Sequence, residues 1–338
     1  MAATQLQPEV VQGVPQSGTA TSDRALLWEL VVLVRPHQWV KNLLVVALPL
    51  LYPAVWTLPR LTALGYAVAA FVLASAVVYI GNDLADRERD RRHPQKRHRP
   101  LAAGRVPVPL AVIFGLVLLA GLAVLVATTQ PALAWPTAGY LALNLAYSCG
   151  LKHVPVLDLF LVATGFNLRI VAGYLAAGLP LRGWLIPCAF LLSLLLVLGK
   201  RRRELELPDL LHRPALDGYS PRFVDQLLVL SAGMALITFL FFLDNELGQQ
   251  ADLAAPVLLP LALLGLYRYL QAVAVSGAGA DPVRAVLRDW VLLTIGLLCA
   301  AVLLAMRFAA TDADLPALGL LPDLEFRPGS EVGREGMS

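Results

Sequence analysis

Charge is what this chain has least of. Only 15% of its 338 residues are Asp, Glu, Lys or Arg, against roughly 25% in an ordinary soluble domain. Too little polar surface is available to cover a water-soluble fold of that length. Cysteine is rarer still. Cys149, Cys188 and Cys299 stand singly in apolar runs, which argues against a disulfide framework and a cysteine zinc site. The first twenty residues lack an apolar stretch, so they read as a disordered cytoplasmic tail and not as a signal peptide. What remains is apolar: 58% of the chain, with a mean hydropathy of +0.67. Disorder and collagen-like repeats are excluded by the same composition. The expectation is an integral membrane protein.

A spanning helix needs about 20 mostly apolar residues. Runs of that order fall at 42–59, 61–82, 106–128, 131–151, 156–179, 183–199, 226–243, 253–275 and 290–309. The expected fold is therefore all-α, a polytopic bundle of about nine transmembrane helices, since the helix satisfies its own backbone in lipid. Residues 1–24 and 311–338 are expected as flexible tails around a membrane domain at 25–310. With the N-terminus inside, 21 of the 27 Lys and Arg fall on the cytoplasmic side and five outside, with Arg169 within a span. That bias predicts a multi-pass protein of the plasma membrane with N-terminus and working end in the cytoplasm.

The charges are concentrated where chemistry is expected. Residues 83–105 hold twelve and residues 200–225 hold eleven. In Asn82-Asp83-Leu84-Ala85-Asp86-Arg87-Glu88-Arg89-Asp90, the aspartates at i, i+3 and i+7 share one helix face. They would repel one another unless a cation neutralised them. Mg²⁺ does so with hard oxygen ligands, taking one or two carboxylates plus substrate phosphates. A solvated face paired by Arg87, Arg89, Arg91 and Arg92 is the plainer alternative. Lys96-Arg97-His98-Arg99 follows at once, and acids for a metal beside bases for phosphate are the two halves of a diphosphate site. Tyr147 and Lys152 sit in the next short loop, where an interfacial anchor and a snorkelling cation would look the same. Arg169 is a charge well inside a span, by default a functional hypothesis, with a structural pairing to Asp158 as the alternative. Lys200-Arg201-Arg202-Arg203 ends the sixth run, more cations than a topology signal needs.

The acidic string with its basic Arg-Pro-Leu-Ala-Ala-Gly tail resembles the first aspartate-rich motif of the UbiA superfamily of intramembrane prenyltransferases. The nine-span order, with functional loops after spans two, four and six, matches as well. The chain departs from ordinary members after span six, where their second acidic motif gives way here to Gly199-Lys200-Arg201-Arg202-Arg203-Glu204-Leu205. Together with Arg35-Pro36-His37-Gln38-Trp39-Val40-Lys41-Asn42, LKHVPVLD, GFNLR and Asp281-Pro282-Val283-Arg284, this looks like the decaprenyl-phosphate phosphoribosyltransferase branch. The resemblance spans roughly residues 33–308. It implies transfer of 5-phosphoribose from 5-phosphoribosyl 1-diphosphate (PRPP) to a polyprenyl phosphate, toward arabinan precursors of the cell wall. It further implies Mg²⁺ held by Asn82, Asp83, Asp86 and Asp90, with Asp83, Asp86 and Lys96 as catalytic groups. Substrate contacts would come from Lys41, Tyr79, Asn82, Arg97, Arg99, Tyr147, Lys152, Arg169, Lys200 and Arg201. The expected partners are PRPP, the polyprenyl phosphate, the bilayer and a second copy of the chain as homo-oligomer, with no nucleic acid. Soluble PRPP enzymes of the common type carry an acidic loop ending in Thr-Gly, and none is present here, so the donor site must be of another design. Two alternatives stand beside this reading. One is a prenyltransferase moving an isoprenoid from its diphosphate to an aromatic acceptor. The other is a lipid-phosphate transporter, although transporters place polar groups near mid-membrane.

Overall fold

The computed structural model describes residues 23–206, 214–275, 286 and 288–314. Among them every regular element is helical. The α-helices are α1 (Asp23–Leu33), α2 (Leu44–Ala47), α3 (Leu58–Ala85), α4 (Arg87–Arg92), α5 (Val108–Thr129) and α6 (Ala134–Ser148). They continue with α7 (Leu157–Ala177), α8 (Leu185–Glu204), α9 (Pro221–Leu247), α10 (Ala251–Ala274) and α11 (Trp290–Asp314). The expected tails lie outside the described residues except at their inner ends. Residues 23–24 open α1, and α11 runs on through 311–314.

Among the described residues five stretches are long and apolar enough to cross a membrane: Leu58–Ala85, Val108–Thr129, Leu157–Ala177, Pro221–Ala274 and Trp290–Ala309. The fourth contains both α9 and α10, joined through a single turn at Gly248–Gln250. The expected count of nine is not reached on that measure, for local reasons. α6 has only 15 residues, with a 3₁₀ turn at Pro131–Leu133 before it. α8 ends in the charged Lys200–Glu204 turn. The run at 42–59 is no continuous helix. It passes through 3₁₀ turns at Pro36–Leu43, Pro49–Leu51 and Pro53–Val55, leaving α2 four residues long. Pro49 and Pro53 lack the N–H that a helix interior needs and crowd the preceding turn.

Packing follows chain order. α3 lies against α5, α6 and α7, then α7 against α8, α8 against α9, α9 against α10 and α10 against α11. α11 returns to the broken first segment, which closes the bundle. Small residues permit the close crossings. Ala67, Ala70 and Ala74 form the buried face of α3. At Gly173 on α7 a Cβ would sit 1.7 Å from the Val45 carbonyl oxygen, so α2 can rest there only on glycine. Outward faces are apolar, as with Leu116, Val117 and Val124 on α5, which suits lipid and not water. At the end of the bundle away from the charged loops, the side chain of Glu246 on α9 is fully buried. It accepts from Tyr52 (2.8 Å) and pairs with Arg307 of α11 (2.6 Å). The Arg307 guanidinium lies 3.6 Å over the Tyr52 ring.

Arg169 is placed in the middle of this framework. Its guanidinium donates to Asn42 Oδ1 (2.9 Å), Gly165 O (2.8 Å), Ser75 Oγ (3.2 Å) and Tyr140 OH (3.0 Å). The Tyr140 ring faces it at 4.5 Å. Asp158, the alternative partner from sequence, pairs with Arg201 instead. Arg169 therefore ties the first segment to α3, α6 and α7.

Candidate active site

The end of α3 carries the acids out of the apolar bundle. α3 stops at Ala85 and α4 starts at Arg87, yet helical bonding continues through the joint. The Asp86 amide donates to Asn82 O (2.9 Å) and the Asp90 amide to Asp86 O (2.8 Å). Asp83 and Asp90 consequently stay on one face, and Arg99 Nη1 reaches both, at 3.0 and 2.6 Å. Asp83 is buried and also takes Arg35. Asp86 takes Lys152 Nζ at 3.0 Å. The cations that neutralise these three acids thus come from three distant segments. Arg91 pairs instead with Glu88 (2.9 Å).

A cavity of about 180 Å³ opens among these groups. Its lining includes Arg35, Asn82, Asp86, Arg89, Asp90, Lys96, Arg99, Tyr147, Ser148, Lys152 and His153. Five permanent cations therefore face two carboxylates, which makes the space a receptor for anions. The turn that offers Lys96 is shaped by His93. Burial first and the nearby Lys96 charge second hold that imidazole below the usual histidine range. Neutral, its Nδ1 accepts the amides of Gln95 (3.2 Å) and Lys96 (3.3 Å). Asn82 Oδ1 accepts the Ser148 hydroxyl, joining α3 to the end of α6.

Among the described residues no three acids, histidines or cysteines converge closely enough to hold a metal on their own. The donors on the cavity wall are nonetheless the hard oxygens of Asp86, Asp90 and the Asn82 amide. That set fits a Mg²⁺ that takes one or two carboxylates and completes its shell with phosphate and water. Asp83 does not line the cavity. It lies beneath, under Arg35 and Arg99.

Of the residues expected from sequence, Asn82, Asp86, Asp90, Lys96, Arg99, Tyr147 and Lys152 meet at this cavity, with Asp83 just below. Tyr79 lies under Arg35, whose guanidinium is 5.1 Å from the ring centre. The others fall elsewhere. Arg97 is exposed and donates to His98 (3.3 Å). Lys41 is half-buried and outside the lining. Lys200 approaches Glu204 at 3.8 Å. Arg201 is buried and engaged by Asp158 (2.5 Å) and Glu204, so its charge is answered by protein. Arg202 pairs with Asp225 and Glu206 (each 2.8 Å), and Arg203 with Glu206 (2.6 Å). The Asp281–Arg284 segment and Asp209 lie outside the described residues. Sequence reading left Arg35, Arg89, Ser148 and His153 out of the site. Arg35 alone had a visible signal, an arginine directly before Pro36 at the mouth of a span.

A membrane-embedded helical bundle with an anion-receiving cavity at its charged end is the class that fold and site define. The UbiA prenyltransferase family matches residues 43–318, and the chain belongs to that family. The decaprenyl-phosphate phosphoribosyltransferase of Corynebacterium glutamicum is 36% identical over 280 residues, covering 78% of this chain and 82% of the relative. The enzyme of the same name from Mycobacterium tuberculosis is 36% identical over 279 residues, with 78% and 89% covered. Among solved structures, a UbiA homolog from Archaeoglobus fulgidus bound to GPP and Mg²⁺ superposes with a TM-score of 0.62. It is 19% identical and covers 84% of this chain and 99% of its own.

Proposed function

We propose that the chain transfers 5-phosphoribose from PRPP to a polyprenyl phosphate, releasing diphosphate, at the cavity between α3, α6 and the basic turn. The observation that carries this is the excess of cations there. Arg35, Arg89, Lys96, Arg99 and Lys152 surround two acids, more positive charge than one metal-bound diphosphate requires. The reading is supported by relatives that bear the name decaprenyl-phosphate phosphoribosyltransferase. A prenyltransferase with a second acidic motif would show paired aspartates where the last turn of α8 here carries Lys200–Arg203.

The lipid phosphate oxygen is already an anion, so attack on ribose C1 needs no general base. As the bond from C1 to the diphosphate oxygen breaks, charge grows on the leaving group. Lys152 and Arg35 stand where they can receive it, and fixed cations stabilise developing charge without reorganising. Lys96, Arg99 and Arg89 also line the cavity and serve the further phosphates of donor and acceptor. Asp86 and Asp90, with the Asn82 amide, are the groups that would hold Mg²⁺, which neutralises phosphate oxygens when bound. Asp83 keeps Arg35 and Arg99 aligned. Because PRPP is a cytosolic metabolite and the lysines and arginines favour that side, the cavity belongs on the cytoplasmic face of the plasma membrane. The test is direct: purified chain, labelled PRPP, polyprenyl phosphate and Mg²⁺, scored for label that partitions into organic solvent. Label that stays water-soluble while an isoprenoid diphosphate is consumed would overturn the assignment.

A further inference from the structure

Lys152 reaches the cavity from a loop whose shape is unusual. It stands in a 3₁₀ turn, Leu151–His153, and three residues later Val156 has φ 68°. A β-branched residue rarely takes that conformation, so something around it must hold it. The holder is Tyr219, from the segment between α8 and α9. Its hydroxyl accepts the Val156 amide (2.5 Å) and donates to Asp158 Oδ1 (2.7 Å). Asp158 is fully buried, and its other oxygen takes Arg201 (2.5 Å). Burial, then the bond to Asp158, pushes the Tyr219 hydroxyl up in pKa, so it keeps the proton it donates. Beside it Gly218 rests on the same loop, where a Cβ would meet Pro155 Cγ at 2.4 Å.

We propose that Tyr219 is a positioning residue for Lys152. Its hydroxyl, seated between Asp158 and the Val156 amide, fixes the loop that aims the lysine into the cavity. The basic last turn of α8 thus acts on the site through this brace, with Arg201 anchoring Asp158. The proposal rests on the reading that the cavity receives a diphosphate.

Isothermal titration of inorganic diphosphate with Mg²⁺ into the purified full chain tests it. Tyr219→Phe, which removes only the hydroxyl, is expected to weaken binding about tenfold. Lys152→Met weakens it too, and the double variant is expected to bind no worse than Lys152→Met alone, because residues acting through one contact are not additive. Adding Val156→Gly to Tyr219→Phe should restore most of the loss, since glycine takes positive φ freely. A general loosening of the fold would give losses that add, with no rescue, and that result overturns the proposal. Should Tyr219→Phe be recovered only as aggregate, Gly218→Ala displaces the same loop and must show the same non-additivity. Wild-type chain that binds diphosphate with this pattern but transfers no phosphoribose overturns the function proposed above and leaves the positioning role standing. Wild-type transfer with simply additive losses does the reverse.

Discussion

Two aspartates three residues apart, Asp83 and Asp86, do different work. Asp83 is buried between Arg35 and Arg99, whereas Asp86 meets Lys152 at the cavity wall. Removing one partner of a buried pair strands the other charges and costs about 3–5 kcal/mol. Asp83→Ala should therefore lose both turnover and thermal stability in detergent. Asp86→Ala should lose turnover while its melting temperature stays within a degree or two of the parent; an equal fall in both would return Asp86 to a structural role. Arg201 was expected from sequence to touch phosphate, and its burial beside Asp158 changes what its removal should do. Arg201→Gln is expected to destabilise by about 3 kcal/mol, by the same cost of a stranded buried charge. Lys200→Gln, at a partly exposed and long pair of 3.8 Å, should cost less than about 1 kcal/mol. Thermal melts of the two variants side by side decide between them. The difference was not legible in GKRRREL, because a run of four cations shows that charge is present without showing which member turns inward. Arg35 was hidden for a related reason: before the fold brings the start of the Pro36–Leu43 turn and α3 together, a lone arginine is one more positive-inside residue.

Elements were read well where apolarity alone determines them. The long runs of α3, α5, α7 and α11 stand within about five residues of their expected bounds, since an apolar stretch of that length buries its backbone polar groups most readily as a helix. The first span was misjudged because counting uncharged residues ignores Pro49 and Pro53, which were in plain sight. The crossing of α2 over α7 gives a sharp element-scale test. Gly173→Ala would put a Cβ 1.7 Å from the Val45 carbonyl oxygen, so folded, monodisperse yield should collapse. Gly233→Ala on α9, with nothing within 4 Å, should leave the yield unchanged. α11 carries its own cap. Asp289 Oδ1 accepts the amides of Val291 (3.0 Å) and Leu292 (3.1 Å), and Oδ2 takes Arg268 (2.8 Å). Burial alone would raise this carboxyl, but those bonds outweigh it and hold it below the usual aspartate range. A lowered carboxylate contributes stability that is complete above the unfolded value, about 3.9, and is lost as pH falls through the folded one. Melting temperatures should thus drop more steeply below about pH 4 in the parent than in Asp289→Asn. Parallel curves would remove the cap from the account.

At the scale of the whole molecule, the family and the charged end with Lys96, Arg99 and Lys152 could be read from motif order, while the meeting of Arg35 and Arg89 with them in one cavity could not. Arg35, Lys96, Arg99 and Lys152 converge only when the ends of the first segment, α3 and α6 are stacked. Divalent metal belongs to this scale because Asp86, Asp90 and the Asn82 amide would hold it only together with substrate phosphates. Chelation with EDTA should abolish labelled lipid formation and Mg²⁺ should restore it; full activity in EDTA would take metal out of the reaction.

The buried Glu246 has a mechanical meaning. Tyr52 and Arg307 hold it from the two ends of the chain's circuit, the first segment and the last helix, so the bundle is riveted on the face remote from the cavity. Separation of the first segment from α11 is therefore resisted by a charge pair and a hydrogen bond at this end of the bundle, so the two cannot part there without stranding the buried carboxylate.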